Sequence, residues 1–145
     1  MFIGEFQHKL DGKGRMSIPA KFRAYLKNGA VVTRGLDNCL TVYPMPEWEE
    51  LANKLAALPI SNSNSRAFSR FMLSGASDVQ LDKSGRILIP EYLRNFAHLK
   101  TKNLVVITGL QNRLEIWSVE EWNKYRKSTE KDSIKIAEQL ENLNI

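Results

Sequence analysis

The sequence predicts an α+β fold in which two copies of one small module share a single core and are related by a pseudo-twofold axis. The first observation is an internal repeat, because residues 10–26 recur at residues 81–97 with an offset of 71. The second is that residues 31–48 recur at residues 105–122 with an offset of 74, so both order and spacing are kept. Two copies are too few for a solenoid, which needs about three repeats to stack.

Each copy begins with a short strand and a tight turn. Apolar residues two apart predict half-buried strands over residues 6–10 and 78–81. The turns that follow are Asp-Gly-Lys-Gly and Asp-Lys-Ser-Gly. In such turns an aspartate caps nearby backbone N–H groups and a glycine supplies a positive φ. The residues predicted to structure the two turns are Asp11, Gly14, Asp82 and Gly85.

After the turn, alternating apolar residues predict a second strand in each copy. Pro19 and Pro90 should end these strands, since proline cannot donate to a ladder and suits the first turn of a helix. The next segments, residues 31–43 and 104–117, are typical of hairpins with two β-rich runs around a Gly-Leu-x-Asn turn.

A helix is predicted after each hairpin. In the first copy it carries the apolar stripe Trp48, Leu51, Leu55 and Leu58, and in the second it starts with Ser118 and Glu121 at capping-box spacing. Residues 58–65 predict a polar loop, and residues 66–75 a short helix that Gly75 ends. A last helix presents Ile136, Leu140 and Leu143 on one face, which would dock on the body or on a neighbouring subunit.

Positive charge is concentrated in both copies of the repeat. The chain has a net charge of +5, and residues 1–37 and 66–113 carry +4 and +5 respectively. The intervening and final segments, residues 38–65 and 114–145, each sum to −2. A basic patch in each half favours a polyanionic partner.

Several other classes of protein are excluded or disfavoured. No apolar run approaches the roughly 18 residues of a membrane span, and the first residues lack the order of a signal peptide, so a cytoplasmic protein is expected. Cys39, His8 and His98 provide no zinc-ligand spacing, and no phosphate-binding or nucleophile-elbow motif is present. We therefore expect no catalytic residue, no metal, no cofactor and no small-molecule substrate.

Three sets of repeated residues allow two interpretations. Asp11 and Asp82 fit turn capping better than a carboxylate pair for hydrolysis or metal binding. Trp48 and Trp122 fit a core role better than a base-stacking platform, because both lie in acidic segments. Arg15 and Arg86 leave a tight turn where a guanidinium can reach phosphates and the O6/N7 edge of guanine, or pair internally with Asp11 and Asp82 to hold the turn. The candidate DNA-contacting residues are Arg15, Arg86, Lys13, Lys83 and Lys9.

These features resemble the MraZ family. The shared pattern is an Asp-x-x-x-Arg motif that occurs twice, each time followed by a short apolar strand and a proline, in a basic chain that begins Met-Phe-x-Gly. Further matching segments are YPMPEWEELANKL and RFMLSGASDVQLDKSGRILIP, so the resemblance extends to about residue 125.

The resemblance implies a fold of the AbrB/MazE-like superfamily, in which two swapped-hairpin halves build a β-barrel core of the double-split type with short helices appended. It divides the chain into a first SpoVT-AbrB-like half (1–58), a connector with a short helix (59–75), a second half (76–125) and a C-terminal peripheral helix (126–145). It also implies closed, octamer-like rings. The second motif has Lys83 and Ser84 where the first has Gly12 and Lys13, which leaves open whether the two modules contact DNA equally.

The function that the resemblance implies is regulation of transcription at the nucleoid. Members of the family bind short direct repeats of double-stranded DNA in the promoter of the division and cell-wall gene cluster, which includes the regulator's own gene. The rival hypothesis is an antitoxin-like protein of the same fold that binds a protein partner through its C-terminal helix.

Overall fold

A computed structural model describes residues 1–144 of the protein. Its strands are β1 (Phe2–Lys9), β2 (Arg15–Ser17), β3 (Ala30–Arg34), β4 (Leu40–Pro44), β5 (Ser77–Val79), β6 (Arg86–Leu88), β7 (Leu104–Gln111) and β8 (Leu114–Ser118). Its α-helices are α1 (Arg23–Leu26), α2 (Met45–Ala56), α3 (Ser63–Ser69), α4 (Glu91–Phe96), α5 (Val119–Lys131) and α6 (Ser133–Gln139). The predicted α+β class is confirmed.

The two halves of the chain are interleaved through their strands. Six strands form one antiparallel sheet in the order β1-β7-β8-β4-β3-β5, and β2 and β6 form a separate antiparallel pair. The first strand of each half therefore pairs with the hairpin of the other half, β1 with β7 and β5 with β3. We call the β2–β6 pair the ribbon.

The predicted closed barrel is not formed by hydrogen bonding among the described residues. The six-stranded sheet is open, with β1 and β5 at its edges. The strands of the ribbon are three residues long, and Pro19 and Pro90 follow close behind them. Because proline lacks an N–H, neither strand extends far enough to join the larger sheet.

A single core lies between the large sheet, the ribbon and the short helices. Leu10, Ile18 and Phe22 of the first half pack in one cluster with Ile89 and Leu93 of the second. Two reciprocal hydrogen bonds extend the ribbon, from Ile18 N–H to the Gly85 carbonyl and from Ile89 N–H to the Gly14 carbonyl, each 2.9 Å. The repeated sequence blocks thus build equivalent contacts in each direction.

Two strand predictions were too short or misplaced. The first strand begins at Phe2 rather than residue 6, because all eight residues of β1 pair with β7 and Phe2 is buried. In the second hairpin Gly109 is not a turn residue. It lies within β7, where a Cβ would stand 2.6 Å from the carbonyl carbon of Phe2, so the glycine permits the close approach of β1.

The helices also differ from the prediction at their ends. The connector helix starts at Ser63 rather than residue 66, because the Asn62 side chain caps it by accepting from Ser65 N–H at 3.0 Å. It continues as one π-helical turn over Arg70–Ser74. The predicted cap of α5 is confirmed, since Ser118 Oγ accepts from Glu121 N–H at 3.1 Å. Helix α5 runs without a break across residues 125 and 126, and Leu58 lies beyond the end of α2.

None of the helices within residues 1–144 has the length and apolar character to cross a lipid bilayer.

Candidate nucleic-acid interface

The turn between β1 and β2 is organised by one aspartate. Asp11 Oδ1 accepts hydrogen bonds from the backbone N–H groups of Lys13 (2.9 Å) and Arg15 (2.8 Å). Its Oδ2 accepts from Arg15 Nε at 2.7 Å. A backbone bond from Gly14 N–H to the Asp11 carbonyl, 3.1 Å, closes the turn. The carboxylate therefore shapes the loop and also holds the guanidinium that leaves it.

The turn between β5 and β6 repeats this arrangement. Asp82 Oδ1 accepts from the N–H groups of Ser84 and Arg86, both at 2.9 Å, and its Oδ2 accepts from Arg86 Nε at 2.8 Å. Gly85 N–H donates to the Asp82 carbonyl at 3.0 Å. We call the two turns the Asp–Arg loops, residues 11–15 and 82–86.

The ribbon brings the two Asp–Arg loops side by side. Arg15 lies opposite Leu88 and Ser17 lies opposite Arg86 in the strand register. Arg86 Nη1 is 3.8 Å from Asp11 Oδ2, so the second guanidinium reaches toward the first loop. The side chains of Arg15 and Arg86 are 33% and 31% exposed. Two fixed guanidinium groups thus share one accessible face.

Arg23 and Arg94 support the loops from the opposite half, a role that the sequence did not reveal. Arg23 Nε donates to the Ile18 carbonyl at 2.9 Å, and Arg94 Nε donates to the Ile89 carbonyl at 3.0 Å. The guanidinium of Arg94 lies over Gly14 and that of Arg23 over Gly85. The repeat conserves an arginine at both positions, which indicates that the two residues have a shared role. No sequence pattern indicates which residues they contact.

The two loop glycines are required by conformation and by space. Gly14 and Gly85 have φ values of +83° and +76°, a region that costs other residues about 1–3 kcal/mol. A Cβ on Gly14 would also stand 2.9 Å from Arg94 Cζ, and a Cβ on Gly85 would overlap Arg23. We therefore expect Gly14→Ala to lower the free energy of unfolding by about 1–3 kcal/mol, measured by urea denaturation.

Gly12→Ala is the matched control for this prediction, because it adds the same methyl group to the same loop. Gly12 is outside the left-handed region, and its Cβ would make an ordinary 3.5 Å contact with Lys102 Cε. Equal destabilisation by both substitutions would contradict the role assigned to Gly14.

Both loop aspartates are held in their charged form. The pKa of Asp11 is lowered to about 2, chiefly by the Arg15 N–H donor. Desolvation acts in the other direction, and the Arg15 side chain and the Lys13 N–H lower the pKa further. The pKa of Asp82 is also lowered, first by the N–H of Arg86. Carboxylates with such low pKa values are poor general bases, which weighs against an acid–base pair.

These pKa values predict how stability depends on pH. A carboxyl whose pKa is lower in the folded state stabilises the fold above its ordinary pKa, and that stabilisation is lost as pH falls through the folded pKa. We expect the melting temperature to fall between pH 4 and pH 2 and to fall less steeply in Asp11→Asn. Because other carboxyls titrate in both proteins, the difference between the two curves isolates Asp11. Parallel curves would contradict the prediction.

The predicted lysines lie around the Asp–Arg loops. Lys13 and Lys83 are exposed within them, and Lys9 is exposed at the end of β1, next to the first loop. Lys102 also belongs to this surface, since its N–H donates to the Leu10 carbonyl at 2.7 Å and its Cε lies close to Gly12. Lys102 lies outside the repeated blocks, so no sequence pattern indicates that it is close to the first loop.

The remaining candidates, the two repeated tryptophans and the cysteine, make packing contacts. Trp122 packs against Trp117 with ring centroids 5.4 Å apart, and Trp48 packs against Tyr43 at 5.9 Å. Cys39 is buried, and burial raises the pKa of its thiol. Within residues 1–144 no group of three or more His, Cys, Asp and Glu residues is placed to hold a metal ion.

The geometry of the loops suits recognition of an anion rather than bond breaking. Each aspartate uses its oxygens on N–H donors of its own loop. The hydrogen bonds of Arg15 and Arg86 to these carboxylates use Nε. Arg86 Nη1 also lies 3.8 Å from Asp11 Oδ2, within ion-pair distance but beyond hydrogen-bond distance. A guanidinium held in one orientation through Nε can form a bidentate contact with a phosphate or a guanine edge through its Nη groups.

Comparison with known proteins gives the family. The family described as "MraZ protein, putative antitoxin-like" matches residues 1–71 and again residues 72–144. A protein of Natranaerobius thermophilus named transcriptional regulator MraZ is 52% identical over the full length of both chains. Proteins of the same name from Halothermothrix orenii and Caldanaerobacter subterraneus subsp. tengcongensis are 51% and 48% identical, also over both full lengths. The chain belongs to the MraZ family.

Proposed function

We propose that the protein is a sequence-specific DNA-binding transcriptional regulator, a repressor that also regulates its own gene, and not an enzyme. Its target is short direct repeats in the promoter of the bacterial division and cell-wall gene cluster. The observation that carries the proposal is the ribbon, which presents Arg15 and Arg86 side by side on an exposed basic face. The name of the full-length relatives, transcriptional regulator MraZ, supports the same function.

A two-stranded ribbon is one of the elements that double-stranded DNA can accommodate. The major groove of B-DNA is about 12 Å wide and admits a two-stranded β-ribbon. In our proposal Arg15 and Arg86 contact base edges, while Lys13, Lys83 and Lys9 contact phosphates and set the position of the protein. The aspartates remove part of the freedom of each guanidinium before binding, which lowers the entropic cost of forming the complex.

We infer that the protein assembles into a closed, octamer-like ring. The strands β1 and β5 lie at open edges of the large sheet, and exposed edges favour pairing with another chain. Head-to-tail association covers both edges when the ring closes.

The inferred halves are residues 1–58 and 76–125, each of the swapped-hairpin, double-split type. In this division residues 59–75 form the connector between them, and residues 126–145 form the peripheral helix. The regulator would act in the cytoplasm at the nucleoid.

The test is binding to the promoter of the protein's own gene, measured by footprinting and by gel shift over a range of salt concentrations. We expect protection of repeated sites and a strong salt dependence. Log K should fall by about 0.9 for each phosphate neutralised per unit of log salt. Equal affinity for the promoter and for a shuffled fragment of the same length would refute sequence-specific recognition.

An antitoxin-like function is the second candidate, because the family description includes that word and the C-terminal helix exposes apolar residues. Ile134 is 77% exposed and Ile136 is 39% exposed on α6. In this alternative α6 binds a protein partner. Purification from the host of the full chain and of a chain that ends at residue 132 would separate the two functions, since only the antitoxin hypothesis requires a stoichiometric partner that is lost on truncation.

A further inference from the structure

The two halves of the repeat build the ribbon symmetrically, but the side chains on its exposed face differ between the halves. Met16 and Ile87 point into the core and are 0% and 1% exposed. The alternation of a strand then places Arg15, Ser17, Arg86 and Leu88 on the opposite face. The repeat relates Arg15 to Arg86 and Ser17 to Leu88. One pair is identical, whereas the other pairs a small polar side chain with a large apolar one.

Leu88 is not required at this position by the fold. Its side chain is 54% exposed, and its equivalent Ser17 shows that the ribbon forms with a polar residue there. Leu88 lies directly opposite Arg15 across the two strands and two residues from Arg86 on its own strand. A partner that covers Leu88 must therefore also contact the guanidinium groups of Arg15 and Arg86. We infer that this partner is a polyanion that also has apolar groups on its accessible face.

Double-stranded DNA has this combination in the major groove. Phosphates line the groove, guanine offers O6 and N7 to arginine, and thymine alone presents a methyl group, at C5. A leucine beside an arginine on a ribbon that enters the groove matches a thymine adjacent to a base pair that arginine contacts. A serine at the equivalent position can form a hydrogen bond with a base of any type.

We propose that Leu88 is a specificity-determining residue that contacts the C5 methyl group of a thymine, next to the base pair contacted by Arg15. This inference rests on the proposed DNA-binding function and deepens it. The Ser17/Leu88 difference gives the ribbon a direction on DNA. A symmetrical two-stranded reader matches a palindrome, whereas a reader with different ends matches an asymmetric site in one orientation. Sites of that kind recur as direct rather than inverted repeats.

The experiment removes single methyl groups from the DNA. Each thymine of the footprinted promoter repeat is replaced in turn by deoxyuridine, and affinity is measured by fluorescence anisotropy. For the wild-type protein we expect one position per repeat at which loss of the methyl group weakens binding about fourfold, the value for one buried methyl or methylene group. In Leu88→Ala the same replacement should change affinity by less than a factor of about 1.5, because the apolar contact is already lost.

Ser17→Ala is the matched control, since it truncates the equivalent side chain of the other half and should keep the full sensitivity to the methyl group. Retained sensitivity in Leu88→Ala, or a wild-type protein that is insensitive at every thymine, would overturn the inference while leaving DNA binding intact. A changed particle size for Leu88→Ala in light scattering would overturn it by making Leu88 a contact between subunits. A wild-type protein that does not prefer its promoter at all would instead refute the proposed function, and this inference with it.

Discussion

Replacement of Arg15 by alanine should abolish specific operator binding and leave the fold intact. If each arginine contacts a base edge, its loss costs about 1–3 kcal/mol of discrimination per contact. Every subunit of a ring that touches the operator loses that contact, so the free-energy costs add and the losses in affinity multiply. We expect specific binding to disappear in a gel shift at protein concentrations that saturate the wild type. Arg86→Ala should have a similar or weaker effect, because Lys83 and Ser84 alter the second loop.

The structure explains why the fold should survive this change. The Arg15–Asp11 pair is one-third exposed, and exposed ion pairs contribute little to the free energy of unfolding. Asp11 Oδ1 still accepts from the backbone N–H groups of Lys13 and residue 15 in the variant, so the turn keeps its main hydrogen bonds. Melting temperature and ring size should therefore change little.

Two further variants make this prediction specific. Lys13→Ala should weaken binding to all sequences alike and reduce the salt dependence, as expected for a phosphate contact. Arg126→Ala removes an arginine whose Nη1 pairs with Glu130 at 3.0 Å on α5, far along the chain from both loops, and should leave operator affinity unchanged. A sharp fall in the melting temperature of Arg15→Ala, with full affinity in the protein that remains folded, would make Arg15 only a partner of Asp11 that holds the turn.

The sequence predicted features whose partners lie close together in the chain. The turns with Asp11 and Asp82, the hairpins and the Ser118 cap all depend on residues within about five positions of one another, and local spacing reveals them. The repeat added the pseudo-symmetry, because two equivalent blocks must build equivalent structures.

Contacts between the two halves could not be predicted from local sequence patterns. The packing of Arg94 over Gly14 and of Arg23 over Gly85 joins distant segments, so neither arginine could be given a role from its own neighbours. The length of β1 is set by its partner β7, and Ile3, Gly4 and Glu5 show no regular alternation of apolar and polar residues that would have extended the predicted strand. Closure of the expected barrel depends in the same way on distant pairing, and the hydrogen bonds of the described residues leave the ribbon separate from the larger sheet.

An operator with several repeats should bind at least about 100-fold more tightly than a single repeat. Once one subunit of a ring is bound, its neighbour is held near the next repeat, and the second binding event takes place at a high effective concentration. Linkage of this kind raises affinity by about 10²–10⁴ without any new contact. The measurement is a gel-shift titration, at one salt concentration, of fragments with one, two or three repeats padded to the same length.

Geometry provides the control for this prediction. Insertion of about 5 base pairs between two repeats rotates the second by half a helical turn, since B-DNA has about 10.5 base pairs per turn. A ring with fixed subunits cannot reach both faces at once, so the inserted fragment should bind like a single repeat. Light scattering at micromolar concentration should show one large particle with or without DNA. A monomer or simple dimer, or equal affinity for one repeat and three, would show that the chain binds each repeat independently and that the open edges of β1 and β5 do not build a ring.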